Sequence, residues 1–189
     1  MEKFYTVNLN GYKEDLPILK LDSGVGIAFF NLHGKPALTE HCGKELAKKL
    51  SDCDVLITAE SKGLQLCHVT ARELNHPFYA VARKSKKLYM QDGISVDIES
   101  SITTGKEQKL YLSKMDVDLI KGKKVGIVDD VVSTGASLKG LVKLVEKAGG
   151  IVHKQAFVLA EADGKNIKNV IYLDTIPLFF DQKTPIIDI

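Results

Sequence analysis

Hydrophobic and polar positions along this chain switch between helical and strand-like spacing. From Pro36 the apolar residues Leu38, Cys42, Leu46 and Leu50 recur at i, i+4, i+8 and i+12, which predicts a helix with proline in its first turn. DVLITAESKG then predicts a short buried strand over Val55–Ala59, closed by a polar turn. LQLCHVTARELN (64–75) returns to helical spacing and FYAVAR (78–83) to a strand. Residues 84 to 108 are polar and basic around a strand ISVDI (94–98), with KLYLS (109–113) as its hairpin partner. KKVGIVDD (123–130) predicts another strand and ASLKGLVKLVEKAGG (136–150) a helix. That helix has Leu138, Leu141, Val142, Val145 and Ala148 on one face and Gly149-Gly150 as its stop. IVHKQAFVLAE (151–161) predicts the next strand, and NVIYLDTIPLFF (169–180) a short last one. The first 35 residues read as short strands and turns, GVGIAFFNL (24–32) being the clearest apolar run.

Strands alternating with helices at this spacing predict an α/β fold: an open, mostly parallel sheet with helices on both faces. In such sheets ligands bind beyond the carboxyl ends of the strands. Three predicted strand ends, AESKG, ARKSKK and DDVVSTGAS, carry the polar or glycine-containing sequences that contact anions.

A chain of 189 residues suits one domain of ordinary size with a sizeable core. Its 44% hydrophobic and 26% charged content is that of a soluble globular protein. A net charge of +2, with no long basic block, argues against nucleic acid as a partner. Cys42, Cys53 and Cys67 form neither a disulfide framework nor a zinc pattern and read as reduced thiols. MEKFYTVNLNGYKEDLP lacks the apolar core of a signal peptide, and no apolar run approaches the roughly 20 residues that span a bilayer. The expected location is the cytoplasm, without membrane contact.

VGIVDDVVSTGAS (125–137) holds the most informative chemistry. Ser133, Thr134, Gly135, Ala136 and Ser137 stand between a strand and a helix, where backbone N–H groups and the helix N-terminus favour an anion. Gly135 permits a positive φ, and the hydroxyls can donate. The small residues alone are equally a βα turn with an N-cap serine. Asp129 and Asp130 just before them suit a ligand that also presents hydroxyls or a bound Mg²⁺.

This stretch resembles the phosphoribosyl-pyrophosphate (PRPP) motif of the type I phosphoribosyltransferases: apolar strand, two acids, two apolar residues, then a small hydroxyl-glycine loop. The resemblance implies that Asp129 and Asp130 face the ribose hydroxyls, with Mg²⁺ held directly or through PRPP, and that Ser133–Ser137 bind the 5'-phosphate. AESKG resembles the family's pyrophosphate loop, carried by Glu60, Ser61, Lys62 and Gly63; alone it is also a strand-ending turn. VARKSKKL (81–88) resembles the R-K-x-x-K-L segment of adenine phosphoribosyltransferases, so Arg83, Lys84 and Lys87 would contact pyrophosphate at the base of a mobile catalytic loop. Alone it reads as a solvated basic turn. Catalysis in the family is implied to rest on Asp129, Asp130, Arg83 and Lys87.

The resemblance spans roughly residues 36 to 160 and is closest to the adenine and xanthine branch. It implies the type I phosphoribosyltransferase fold, with a hood segment over 1–35 joined by the C-terminal segment, and a core domain over 36–189. Phe29, Phe30, Phe179 and Phe180 are candidates to stack on a purine base; core or subunit-interface positions are the other reading. His33, His41 and His68 receive no role.

Two departures bear on the base. Where adenine enzymes carry LEYG late in the mobile loop, this chain reads ITTG (102–105), with Thr103 at the glutamate and Glu99 and Glu107 nearby. Where xanthine enzymes place a lysine after the next strand, LAEADG has Ala162. The expected activity is purine phosphoribosyl transfer: adenine and PRPP to AMP and pyrophosphate, by a homodimer. A transferase for xanthine, guanine or another base, and a PRPP-sensing regulatory domain, are the alternatives. The strand-like first 35 residues and the retained ARKSKK cations favour the enzyme.

Overall fold

The structure, a computed structural model, describes residues 4–98 and 108–180. Its centre is a sheet in which β8 (Lys124–Val132) lies between β9 (Ile151–Glu161) and β4 (Val55–Ala59), with β5 (Ala80–Ala82) beyond β4. All these pairings are parallel, so the carboxyl ends of β4, β5 and β8 share one edge. The crossovers are α2 (Leu64–Glu73) between β4 and β5, and α4 (Ala136–Lys147) between β8 and β9.

Side-chain alternation explains the layers. On β4, Leu56 points to a cluster with α1 (Pro36–Ala47) and α2, which includes Leu38, Cys42, Leu46, Leu66 and Cys67. Val55, Ile57 and Ala59 point to the opposite cluster, with Leu138, Leu141, Leu144 and Val145 of α4. Helices therefore cover both faces, as the periodicity predicts.

The second face also carries an antiparallel ribbon, β6 (Ile94–Ile98) against β7 (Gln108–Leu112), which is the predicted hairpin. It docks on the central sheet where Arg83 and Tyr111 form a bridge. A short helix, α3 (Lys114–Ile120), escapes the hydrophobic pattern. Its signal is SKMD: the Ser113 hydroxyl accepts from the Asp116 N–H at 3.1 Å and donates to its carboxylate at 2.6 Å.

Strands from both ends of the chain build a separate antiparallel sheet, ordered β1 (Phe4–Leu9), β2 (Tyr12–Lys20), β3 (Val25–Ala28) and β12 (Leu178–Phe180). Val7, Leu9, Leu16 and Ala28 from it join the α1–α2 cluster. The run predicted as one final strand is three: β10 (Val170–Ile171) and β11 (Asp174–Ile176) both pair with β9, whereas β12 pairs with β3. Pro177, which has no N–H to give a ladder, stands between β11 and β12 where the chain changes sheets.

Candidate active site

The site gathers at the shared edge where β4, β5 and β8 end. Asp130 is buried, 6% exposed, and Asp129 is partly exposed beside it. The N–H of Asp130 donates to Asp129 Oδ1 at 2.9 Å, and the N–H of Val131 donates to Asp130 Oδ1 at 2.9 Å. Among the described residues Asp130 Oδ2 is buried without a hydrogen-bond partner, and Lys62 Nζ stands 3.9 Å from it. Burial pushes both carboxyls up, Asp129 to about 7, with the charge of Asp130 the next cause. Lys84 opposes the rise at Asp129 and Lys62 opposes it at Asp130. Two backbone N–H groups and two lysines thus compensate this acidic pair only in part, and among the described residues Asp130 Oδ2 is left without a hydrogen bond.

Beyond Val132 the chain turns through Ser133–Gly135 into α4. Gly135 sits at the helix cap with φ 77°, and no side chain caps the helix. The cap is therefore a glycine and not a serine. Thr134 Oγ1 accepts from the Ala136 N–H only at a long 3.4 Å, which leaves first-turn N–H groups available to an anion. Ser133 is partly exposed, and Thr134 and Ser137 are exposed. A Cβ on Gly135 would also come within 2.9 Å of Ile167 Cδ1, because the 3₁₀ turn Ala162–Asn166 and the residue after it back this loop.

The turn after β4 brings in Glu60, Ser61, Lys62 and Gly63; the Glu60–Ser61 peptide is cis. A Cβ at Gly63 would lie 2.2 Å from Thr58 Oγ1 and 2.6 Å from Asp129 Oδ1, so only glycine lets this turn close onto β8. Thr58 is fully buried, and among the described residues its hydroxyl has no hydrogen-bond partner. Sequence reasoning missed it; the signal was a lone hydroxyl inside the apolar run VLITA.

Arg83 follows β5. Its Nε forms an ion pair with Glu60 Oε2 at 2.7 Å, and its Nη1 donates to the Tyr89 hydroxyl at 3.3 Å. Lys84 is exposed, and Lys87 Nζ donates to Ser85 Oγ at 2.7 Å. The charges of Lys62 and Lys84 thus act on the acidic pair, while Arg83 is engaged by protein groups.

The candidate aromatic residues part company. Phe29 has the Lys62 ammonium 5.3 Å from its ring centroid, at the site. Phe30 is 2% exposed, and Phe179, at 8%, packs edge-on to Tyr5; both belong to the α1–α2 cluster. Phe180 is exposed. His33 Nδ1 meets Gln65 Nε2 at 3.1 Å, His41 meets the Leu9 carbonyl, and His68 lies edge-on to Tyr79. Glu99, ITTG with Thr103, and Glu107 lie outside the described residues.

Among the described residues no group of three or more His, Cys, Asp or Glu side chains could hold a metal by itself. Two carboxylates, one with an orphaned buried oxygen, fit Mg²⁺ of the kind that takes a few protein oxygens and completes its shell from a phosphate ligand. No described helix is long and apolar enough to cross a membrane.

Comparison with known proteins agrees with this geometry. The phosphoribosyl transferase domain model matches residues 31–182. A xanthine phosphoribosyltransferase of Exiguobacterium sp. is 34% identical over 150 residues, covering 75% of this chain and 74% of that protein. One of Bacillus cereus is 34% identical over 148 residues, covering 74% and 71%. The crystal structure of an adenine phosphoribosyltransferase from Thermoanaerobacter pseudethanolicus superposes with a TM-score of 0.62 at 25% identity, over 75% of this chain and 83% of that one. Another, from Rhodothermus marinus, shares the fold with a TM-score of 0.64 at 21% identity, over 92% and 94%. With its acidic pair leading into an open helix N-terminus at the edge of a parallel sheet, the chain belongs to the type I phosphoribosyltransferases, on their adenine/xanthine branch.

Proposed function

We propose that this enzyme transfers the phosphoribosyl group of PRPP to a nitrogen of a purine base and releases pyrophosphate. The observation that carries the reading is Asp130 Oδ2, buried and unpartnered, next to the uncapped N-terminus of α4. An anion at Ser133–Ser137 answers the open N–H groups, and hydroxyls on the same ligand answer the carboxylates of Asp129 and Asp130. PRPP combines the two.

Each residue then has a physical task. Backbone donors of the 133–137 loop and the α4 dipole hold the 5'-phosphate. Asp129 and Asp130 accept from the ribose hydroxyls and fix the sugar. Ser61, Lys62, Gly63, Lys84 and Lys87 surround the pyrophosphate and stabilise charge as it leaves, with Arg83 behind them. Mg²⁺, held by Asp129 and Asp130 together with PRPP, supplies further charge neutralisation when bound. Phe29 offers a face for the base, under the hood built from residues 1–35 and the C-terminal segment. The work is positioning and electrostatics, so Thr103 in place of a loop glutamate is compatible with turnover. An enzyme using these soluble metabolites, with buried unpaired thiols, fits the cytoplasm, and the family implies a homodimer.

Two bases rest on different observations. Adenine is the reading from sequence, supported by Ala162 where a xanthine enzyme carries lysine. Xanthine is favoured by the relatives at 34% identity. Calorimetry with PRPP and Mg²⁺ tests the shared part: Asp129→Asn with Asp130→Asn should weaken PRPP by about 30-fold or more, since both are charge-assisted acceptors. Unchanged affinity in that double variant would contradict the assignment.

A further inference from the structure

One carboxylate ties the two cationic elements of the site together. Glu60 starts the turn after β4, and its N–H donates to the Ala82 carbonyl at 2.9 Å, prolonging the ladder with β5. Its Oε1 accepts from the Lys84 backbone N–H at 2.6 Å, while Oε2 faces Arg83 Nε at 2.7 Å. Arg83 is fixed from other directions as well: Tyr89 takes Nη1 at 3.3 Å, and the Arg83 and Tyr111 backbones exchange two bonds of 2.9 Å. Glu60 thus has both carboxylate oxygens committed inside the protein. An unpaired acid beside a polyanion would repel its ligand; one that accepts a backbone N–H and forms an ion pair instead sets the geometry of both partners.

We infer that Glu60 is a positioning residue, not a ligand contact. It holds Arg83 and the start of ARKSKK at a fixed offset from the Ser61–Gly63 turn, so that cations on both sides of the leaving pyrophosphate keep one spacing. This rests on the proposed phosphoribosyl transfer and differs from the pyrophosphate-binding role that the resemblance implies for Glu60. Misplacing charged groups by about 1 Å costs on the order of 100-fold in rate. Glu60 therefore acts on turnover more than on binding.

Two readouts test this. In ligand-free protein, amide exchange at Lys84 should rise about tenfold or more in Glu60→Ala and stay within about threefold in Glu60→Gln, which keeps an acceptor oxygen. With PRPP, Mg²⁺ and base, Glu60→Gln should lower kcat about tenfold or more with the PRPP KM within about threefold. Adding it to Arg83→Gln should cost little further, because the two act as one unit. A rise in PRPP KM as large as that of Lys62→Ala would overturn the inference by making Glu60 a ligand contact. Independent, multiplying effects with Arg83→Gln, or unchanged Lys84 exchange in Glu60→Ala, would also overturn it. If the wild-type protein bound no PRPP, the functional reading would fall, and the exchange data would still decide whether Glu60 is the tether.

Discussion

Lys62 Nζ stands 3.9 Å from the unpartnered Oδ2 of Asp130, linking the turn after β4 to the end of β8. The Lys62 side chain is half exposed, so water screens part of the attraction. Its second neighbour is the ring of Phe29. Lys62→Met should weaken PRPP about tenfold, or about 1.4 kcal/mol, and reduce the salt dependence of binding, as calorimetry at two ionic strengths would show. An unchanged salt slope would mean that Lys62 does not face the ligand.

The acidic pair sets a pH dependence. Burial, then the charge of Asp130, raises Asp129 from 3.8 to about 7. The folded value lies above the unfolded one, so this group's contribution to stability is full below about pH 3.8 and is lost as pH rises through about 7. Thermal midpoints of ligand-free protein should therefore fall from about pH 5 to about pH 8, by about 3 °C or more, and Asp129→Asn should flatten that slope. PRPP affinity should move the other way, rising over the same range because the ligand needs the ionised pair.

Gly63 is a packing requirement of the site. A methyl there meets Thr58 Oγ1 at 2.2 Å and Asp129 Oδ1 at 2.6 Å. Gly63→Ala should cost about 1–3 kcal/mol in denaturant unfolding, and adding Thr58→Ala should return part of it. Strict additivity of the two would show that Thr58 is not the obstacle.

The neighbouring phenylalanines separate site from core. Phe30→Ala should lose about 3–5 kcal/mol of stability, since its ring is buried in the α1–α2 cluster. Phe29→Ala should leave the thermal midpoint near its wild-type value and raise the KM of the base more than that of PRPP. The reverse pattern would place the base elsewhere.

The parallel sheet and its edge were legible because period-2 and period-3.6 patterns alternate cleanly from Pro36 to Glu161. The acidic pair and the small-residue loop were legible because their chemistry is local to VGIVDDVVSTGAS. What the sequence hid depends on long-range pairing. Nothing local says that Phe180 pairs with Val25 across the four-stranded antiparallel sheet, or that the last apolar run breaks into three strands. Glu60 and Arg83 look like ligand contacts in isolation; only the register of β4 against β5 shows that they meet each other. Thr58 is one hydroxyl within the apolar run VLITA, and only the closed turn at Gly63 gives it a place beside the site. The α3 helix, at seven residues, is too short to show a period, though its cap was written in SKMD.

We propose that the site at Asp129, Asp130 and the Ser133–Ser137 loop moves a phosphoribosyl group from PRPP to a purine. The most direct measurement incubates the protein with PRPP and Mg²⁺ against adenine, xanthine, guanine and hypoxanthine separately, and follows pyrophosphate release. Turnover is expected with at least one purine, none without base, and its loss in the Asp129→Asn, Asp130→Asn variant. PRPP binding with no pyrophosphate release from any purine would contradict it and make the chain a PRPP-binding domain without transfer.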